Sequence, residues 1–293
     1  MSPTLPPRAS RFISAPDGLK LHLLDYPPAE NAPVDATPVL CLPGLARTAE
    51  DFGALAQALT PTRRVIAIDY RGRGLSERDP DWKNYDLFVE NADVLSQLTA
   101  IGVAEAIVVG TSRGGMHAMM LAATRPTLLR AVVLNDIGPV IEAKGLMRIR
   151  GYVGKLPQPV TWADAADLAK SIMSAQFTGL DEAQWDAYAR LTFEQTNGKL
   201  QARYDPLLSK GLETLDFESP LPNLWPQFEG LRNVPVLALR GENSDLLSPA
   251  TVAEMQQRHP RMETHTVAGQ GHAPLLLDKP TIDRIVAFID AVA

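Results

Sequence analysis

Short apolar runs of about four residues recur along the chain. They occupy residues 39–42, 65–68, 106–109, 131–134 and 236–239. Consecutive apolar positions in runs this short are typical of strands that are buried on both faces. Stretches with helical periodicity separate most of these runs, at residues 49–59, 87–101 and 114–124. The repeated order of strand, helix and strand predicts an α/β fold with a mostly parallel, doubly wound sheet.

The start of the chain has a different pattern. Residues 10–13 and 19–24 flank the turn-forming pair Asp17-Gly18, which predicts a β-hairpin. The sheet is therefore expected to open with antiparallel strands. The Pro-rich residues at the very start are expected to be loose.

The alternation of strands and helices stops after Leu134 and resumes only at Pro235. The sequence between them has helical periodicity and no convincing strand. We therefore predict a helical lid at residues 137–232, inserted into an α/β core made of residues 1–136 and 233–293.

Two capping-box signals lie within the predicted lid. Thr161 is followed three residues later by Asp164, and Asp181 is followed in the same way by Gln184. This spacing lets the first side chain and the third residue cap each other's backbone. Two lid helices are predicted to begin directly after these caps.

The composition narrows the class of protein. The chain has 293 residues, of which 45% are hydrophobic, enough for a sizeable core. The formal net charge is −6 and the charges are interspersed, so nucleic acid is not an expected partner. No segment resembles a secretion signal or a membrane span, and the single cysteine, Cys41, lies in an apolar run. We expect a cytoplasmic protein that acts on a small molecule, away from membranes.

The segment Gly110-Thr111-Ser112-Arg113-Gly114 carries the most informative chemistry. It has the form G-x-S-x-G and lies between a predicted buried strand and a predicted helix, which is the context of a nucleophile elbow. The glycines let strand and helix approach closely, and the serine is exposed at the carboxyl edge of the sheet. Ser112 is therefore the predicted nucleophile.

A serine hydroxyl needs a base to accept its proton. His272 follows Gly271 on a predicted loop between a strand-like run and the last helix, at the same edge of the sheet. His22, His117, His259 and His265 lie in less suitable places, and the side chain of His117 should point away from the serine along its helix. His272 is the predicted base.

In enzymes with a nucleophile elbow, the acid that orients the base follows the serine in the chain and precedes the histidine. Asp245 lies in a polar loop after the strand at 236–239, and Asp136 lies directly after the strand at 131–134. Both positions are at the catalytic edge. Asp245 is preferred, because its loop is the usual source of the acid, and Asp136 remains the alternative.

Stabilisation of an oxyanion requires two backbone N–H donors. One is expected from Arg113, the residue after the nucleophile, and the other from Leu45, in the loop that follows the strand at 39–42. Gly44 lets that loop turn towards the substrate without a side-chain clash.

The elbow, the Pro43-Gly44 turn, the motif at residues 69–76, the Asp245 loop and the Gly271-His272 loop together resemble the α/β-hydrolase superfamily. The resemblance spans the chain and places the insertion where that family carries a cap. It implies an α/β-hydrolase fold and an activity close to serine carboxylesterases, enol-lactonases or carbon–carbon bond hydrolases. Because the nucleophile is a serine, haloalkane dehalogenases and epoxide hydrolases are excluded.

This chain departs from the common pattern of the family at two positions. Pro43 stands where a histidine often precedes the oxyanion glycine, and Arg113 stands where an apolar residue usually follows the serine. Arg113, Arg71 and Arg73 either meet a substrate carboxylate or, as is more usual for such arginines, pair with carboxylates of the protein.

The predicted lid is rich in aromatic residues. These are Trp162, Phe177, Trp185, Tyr188, Phe193, Tyr204, Phe217, Trp225 and Phe228. Such side chains either line an apolar pocket or pack the lid helices together. Trp162, Trp185 and Tyr188 are the predicted contacts to a moderately hydrophobic substrate.

The sequence thus predicts transfer of an acyl group from an ester or lactone to Ser112 and then to water. No metal or organic cofactor is expected, because their usual sequence motifs are missing. Two alternatives remain: a carbon–carbon bond hydrolase for vinylogous diketones, and a ligand receptor that keeps the triad but turns over slowly.

Overall fold

A computed structural model describes residues 6–219, 221 and 223–292. Residues 1–5, which the sequence suggested are loose, lie outside the described residues. In the part of the chain that is described, no helix is both long and apolar enough to cross a membrane.

The core of the molecule is an eight-stranded sheet. Its strands are β1 (Ala9–Ser14), β2 (Lys20–Tyr26), β3 (Val39–Leu42), β4 (Val65–Ile68), β5 (Ala106–Thr111), β6 (Leu129–Asn135), β9 (Val236–Gly241) and β10 (Met262–Val267). The spatial order is β1-β2-β4-β3-β5-β6-β9-β10. β2 runs antiparallel to both of its neighbours, and every other pairing is parallel. The predicted hairpin and the mostly parallel sheet are confirmed.

Helices cover both faces of the sheet, as its apolar strands require. The helices outside residues 137–232 are α1 (Gly53–Leu59), α2 (Leu87–Ala100), α3 (Arg113–Thr124), α9 (Pro249–Arg258) and α10 (Lys279–Val292). α1 and α10 pack on one face, and α2, α3 and α9 pack on the other. In β3, Leu40 faces the second group and Cys41 faces the first, because successive side chains of a strand alternate. Cys41 is fully buried, in agreement with its place in an apolar run.

Residues 137–232 connect β6 to β9 and hold five α-helices among the described residues. These are α4 (Ala143–Tyr152), α5 (Trp162–Met173), α6 (Glu182–Thr192), α7 (Ser209–Glu213) and α8 (Trp225–Glu229). Both predicted capping boxes form, and α5 and α6 begin directly after Thr161 and Asp181. We call residues 137–232 the inserted segment.

The expectation that the inserted segment lacks strands is wrong. β7 (Phe193–Thr196) and β8 (Lys199–Ala202) pair as an antiparallel hairpin. Asn197 and Gly198 form its turn at φ of 51° and 77°, which suits the two-residue hairpin turn that an Asn-Gly pair favours. The strands are only four residues long and mostly polar, so they lack the apolar pattern of the core strands.

Candidate active site

Ser112 lies in the tight turn between β5 and α3. Its backbone has φ of 51° and ψ of −112°, a conformation that residues other than glycine rarely adopt. A Cβ atom on Gly110 would lie 2.5 Å from the carbonyl carbon of Gly114, so strand and helix can approach this closely only without side chains. The turn presents Ser112 at the carboxyl edge of the sheet.

Three side chains form a continuous hydrogen-bonded chain at this edge. Ser112 Oγ lies 2.8 Å from His272 Nε2, and His272 Nδ1 lies 2.8 Å from Asp136 Oδ2. His272 is 6% exposed and Asp136 is fully buried. The order of the three groups, hydroxyl, imidazole and carboxylate, is the one that activates a serine nucleophile.

Asp136 is held in place from several sides. It follows β6 at a positive φ of 56°. Its Oδ1 accepts a hydrogen bond from the Gly241 amide at 2.7 Å, and its Oδ2 accepts one from Ser244 Oγ at 2.5 Å. These donors fix the carboxylate so that Oδ2 also reaches the imidazole of His272.

The prediction that Asp245 partners His272 is wrong in this structure. The Asp245 carboxylate instead forms a two-point ion pair with Arg148 of α4, with Nε to Oδ2 at 2.7 Å and Nη2 to Oδ1 at 2.8 Å. Burial opposes its ionisation, but Arg148 outweighs burial and lowers the pKa of Asp245 below its ordinary value. The alternative acid, Asp136, takes the place beside the base.

The backbone amides of Leu45 and Arg113 are available as donors. Neither forms a hydrogen bond to an acceptor in the described part of the protein. Leu45 lines the same cavity as Ser112, and a Cβ atom on the neighbouring Gly44 would lie 3.8 Å from Ser112 Cβ. Arg113 begins α3, whose N-terminal dipole favours negative charge at this end.

Three of the other four histidines have partners away from Ser112, and the fourth, His265, lies within β10. His22 lies between Asp69 and Ser10, His259 contacts the Leu231 carbonyl, and His117 is fully buried beside Glu90. Burial lowers the pKa of His117, so its imidazole is neutral near pH 7.

The arginines singled out in the sequence pair with carboxylates of the protein. Arg71 binds Asp93 and Asp79, while Arg73 and Arg113 both contact Glu90. None of the three arginines lines the cavity over Ser112.

A cavity of about 110 Å³ lies over Ser112 and His272. Its walls come from the loop after β3, the loop after β10 and the inserted segment. Most of the lining is apolar and includes Phe52, Ile149, Leu168, Met173, Phe177 and Phe193. The chain therefore shields the nucleophile with a largely apolar surface.

Only one of the three predicted substrate contacts lines this cavity. Tyr188 does so, whereas Trp185 packs behind it with ring centroids 6.1 Å apart. Trp162 lies under Arg190, whose guanidinium carbon is 4.6 Å from its ring centroid. The sequence showed aromatic residues but not which helix face each would occupy.

Arg47, Asp51 and Thr192 form a polar corner in this cavity. Arg47 donates to the Asp51 carboxylate at 2.8 and 2.7 Å, and its Nη1 donates to Thr192 Oγ1 at 2.8 Å. A guanidinium has five N–H donors, so two remain for a ligand oxygen. Burial alone would lower the pKa of Arg47, but Asp51 outweighs burial and raises it. No local sequence pattern marks this corner, because Thr192 lies 145 residues from Arg47 in the chain.

The inserted segment also contacts the loop that carries the base. Gln176 Oε1 accepts a hydrogen bond from the His272 amide at 2.9 Å. The Thr178 amide donates to the Gly269 carbonyl at 2.9 Å, and Asn243 Nδ2 donates to the Gln176 carbonyl at 3.2 Å. No local sequence signal marks Gln176, because its role depends on how two distant segments meet.

Comparison with known proteins agrees with this architecture. The sequence profile of the alpha/beta hydrolase fold matches residues 37–279. The chain is 32% identical to a 3-hydroxybutyrate-oligomer hydrolase from Cupriavidus necator, over 85% of this chain and 87% of that one. It is 28% identical to the sn-1-specific diacylglycerol lipase ABHD11 of Mus musculus, over 86% and 80% of the two chains.

A solved structure has nearly the same fold. The crystal structure of an alpha/beta hydrolase from Novosphingobium aromaticivorans superposes with a TM-score of 0.91 and 35% sequence identity. The match covers 99% of this chain and 100% of that one. The chain belongs to the alpha/beta hydrolase family and has its fold, with a mostly parallel eight-stranded sheet flanked by helices.

Proposed function

We propose that the chain is a serine hydrolase that cleaves an ester of a small, moderately hydrophobic acid through an acyl-enzyme. The observation that carries this proposal is the hydrogen-bonded chain from Ser112 through His272 to Asp136, which opens into an apolar cavity. The known relatives that hydrolyse esters support the same reaction class.

The reaction follows from the positions of these groups. His272 Nε2 accepts the Ser112 proton as Oγ attacks the ester carbonyl, and Asp136 stabilises the imidazolium that forms. The Leu45 and Arg113 amides donate to the oxyanion. His272 then protonates the departing alcohol. A water molecule, deprotonated by the same imidazole, attacks the acyl carbonyl, and the imidazolium returns the proton to Ser112 Oγ as the acid leaves.

We propose that the inserted segment acts as a lid on the core formed by residues 1–136 and 233–293. Its residues supply much of the cavity wall, and Gln176 contacts the backbone of His272. The apolar side chains that it adds over the site reduce the access of bulk water, which strengthens hydrogen bonds to the oxyanion.

The polar corner favours a narrower candidate, an ester whose acyl chain carries a hydroxyl or carbonyl oxygen. Arg47 has two N–H donors left for such an oxygen, and Asp51 balances its charge. A neutral oxygen suits this neutral pair better than a carboxylate, which would add a buried charge. The relative that acts on 3-hydroxybutyrate oligomers is consistent with this chemistry.

The test is hydrolysis of p-nitrophenyl esters from acetate to decanoate by the wild type, Ser112→Ala and His272→Ala. We expect the wild type to prefer short acyl chains, and both variants to lose at least about 10³-fold in kcat. Comparison of butanoate with 3-hydroxybutanoate tests the polar corner. An enzyme inert on every ester would overturn the proposal and direct attention to lactones, vinylogous diketones and tight ligand binding without turnover.

A further inference from the structure

A buried cluster of charges lies behind the elbow, outside the cavity. Glu90 of α2 bridges two arginines: its Oε1 is 2.6 Å from Arg73 Nη1, and its Oε2 is 2.6 Å from Arg113 Nε. His117 Nε2 also lies 3.2 Å from Glu90 Oε2. The side chains of Arg73, Glu90 and His117 are fully buried, and that of Arg113 is 14% exposed. We call these four residues the Glu90 cluster.

The cluster contacts both residues whose backbone amides are the proposed oxyanion donors. Arg73 Nε donates to the Leu45 carbonyl at 2.9 Å, so it holds the loop after β3 from behind. Arg113 is itself the second residue, and its Nη2 also donates to the Tyr85 carbonyl at 3.1 Å. A single carboxylate thus connects the two separate segments that carry the backbone donors.

A contribution to folding stability alone is a weak explanation for such a cluster. Two guanidinium groups and one carboxylate leave a net positive charge in the interior, and removing charges from water is costly even when they pair. Buried charged side chains are better explained if their ion pairs fix the positions of groups that the reaction needs. Oxyanion donors act only when they are held at hydrogen-bond distance from the position that the anion will occupy.

We propose that Glu90 is a positioning residue that sets the spacing of the Leu45 and Arg113 amides through Arg73 and the Arg113 side chain. This inference rests on the proposed function. It also explains why arginine follows the nucleophile in this chain: the side chain turns away from the cavity and ties the elbow to α2.

The test compares Glu90→Gln with Asp93→Asn. Asp93 lies one turn further along α2 and also pairs with a buried arginine, Arg71, at 2.7 and 2.8 Å. Its carboxylate contacts neither Leu45 nor Arg113. Both variants lose a buried carboxylate charge, but only Glu90→Gln removes the connection between the oxyanion donors.

The readouts are kcat and KM for p-nitrophenyl butanoate, with kcat normalised to the active sites titrated with paraoxon. Inhibition by butylboronic acid, which forms a tetrahedral adduct, is measured beside them. For Glu90→Gln we expect kcat per titrated site to fall by about 10- to 100-fold, with the boronic acid binding weakened in parallel and KM within about threefold. For Asp93→Asn we expect kcat per titrated site within about threefold of wild type. A merely structural role would lower the number of titrated sites and leave kcat per site unchanged.

A second variant controls for misfolding and separates the effect of the net charge of the cluster from the effect of losing the bridge between the two arginines. Glu90→Gln with Arg113→Gln restores the original net charge but not the bridge, so we still expect the loss of kcat per site. Equal kcat per site in the wild type and both Glu90 variants would overturn the inference while leaving the proposed function intact. So would an equal loss in Asp93→Asn. A wild type with no esterase activity would instead count against the proposed function.

Discussion

Asp136 and Asp245 both lie near His272, and their contacts assign them different roles. Asp136 accepts from the imidazole and is fully buried, whereas the Asp245 carboxylate is occupied by Arg148. An acid that fixes the histidine tautomer and stabilises the imidazolium must contact the ring itself. Substitution of each aspartate in turn therefore tests which of them supports the base.

We predict that Asp136→Asn lowers kcat by about 10³-fold or more, because the amide can no longer stabilise the imidazolium. Asp245→Asn should lower kcat by less than about tenfold. Steady-state kinetics on p-nitrophenyl butanoate with both variants, after circular dichroism has shown equal folding, measure the difference. The reverse ranking would restore Asp245 as the acid.

Sequence predicted the residues whose signals are local. Ser112 lies in a contiguous motif between a strand and a helix, and His272 was the histidine on a loop at the correct edge. The choice between Asp136 and Asp245 depends on which of the two carboxylates forms an ion pair with an arginine elsewhere in the chain. Arg148 lies 97 residues from Asp245 in the chain, so no local pattern could reveal that pair.

The inserted segment forms polar contacts with loops of the core at the active-site edge. Arg148 of α4 pairs with Asp245, and Gln176 after α5 binds the His272 amide. These contacts join the inserted segment to two loops of the core. Their loss should change the movement of this segment more than the chemistry at Ser112.

We predict that Arg148→Met loosens the inserted segment, because the largely buried Asp245 carboxylate is left without its partner. Hydrogen exchange followed by mass spectrometry should show at least about fivefold faster exchange in α4 and in the Asp245 loop. The matched control is Arg190→Met, whose pair with Asp186 lies on the exposed face of α6 and contacts no core loop. Equal exchange in both variants would mean that Arg148 does not hold the segment.

The buried strands of the sheet were easier to predict than the elements of the inserted segment. β3 to β6 are apolar on both faces, which leaves few alternatives, and two helices of the inserted segment carry complete capping boxes. The short hairpin of β7 and β8 was missed because its pattern is mostly polar. Its Asn197-Gly198 turn was the available signal.

For the whole molecule, the Glu90 cluster makes stability depend on pH. Burial alone would raise the pKa of Glu90, but Arg113 and Arg73 outweigh burial and hold that pKa well below its ordinary value. In an unfolded chain, the pKa of a glutamate is about 4.3. Because the pKa is lower in the folded state, the stabilisation is complete well above about pH 4.3 and is lost as the pH falls towards the folded pKa.

We predict that the free energy of unfolding of the wild type exceeds that of Glu90→Gln by a constant amount above about pH 5.5. Below about pH 4.3 the difference should shrink, by up to about 1.4 kcal/mol per pH unit. Urea unfolding at a series of pH values measures it. The exposed Glu182→Gln is the control and should show little difference at any pH. A Glu90 difference that grows on acidification would contradict the assignment.

The proposed reaction requires that Ser112 attacks the substrate and carries the acyl group. Its most direct test is reaction with paraoxon, followed by intact-protein and peptide mass spectrometry, with esterase activity measured in parallel. We predict one diethylphosphoryl group per chain, located on the peptide that contains Ser112, with activity lost in proportion to labelling. Ser112→Ala should be neither labelled nor active. Ester hydrolysis that persists in Ser112→Ala, or a label on another residue, would contradict it.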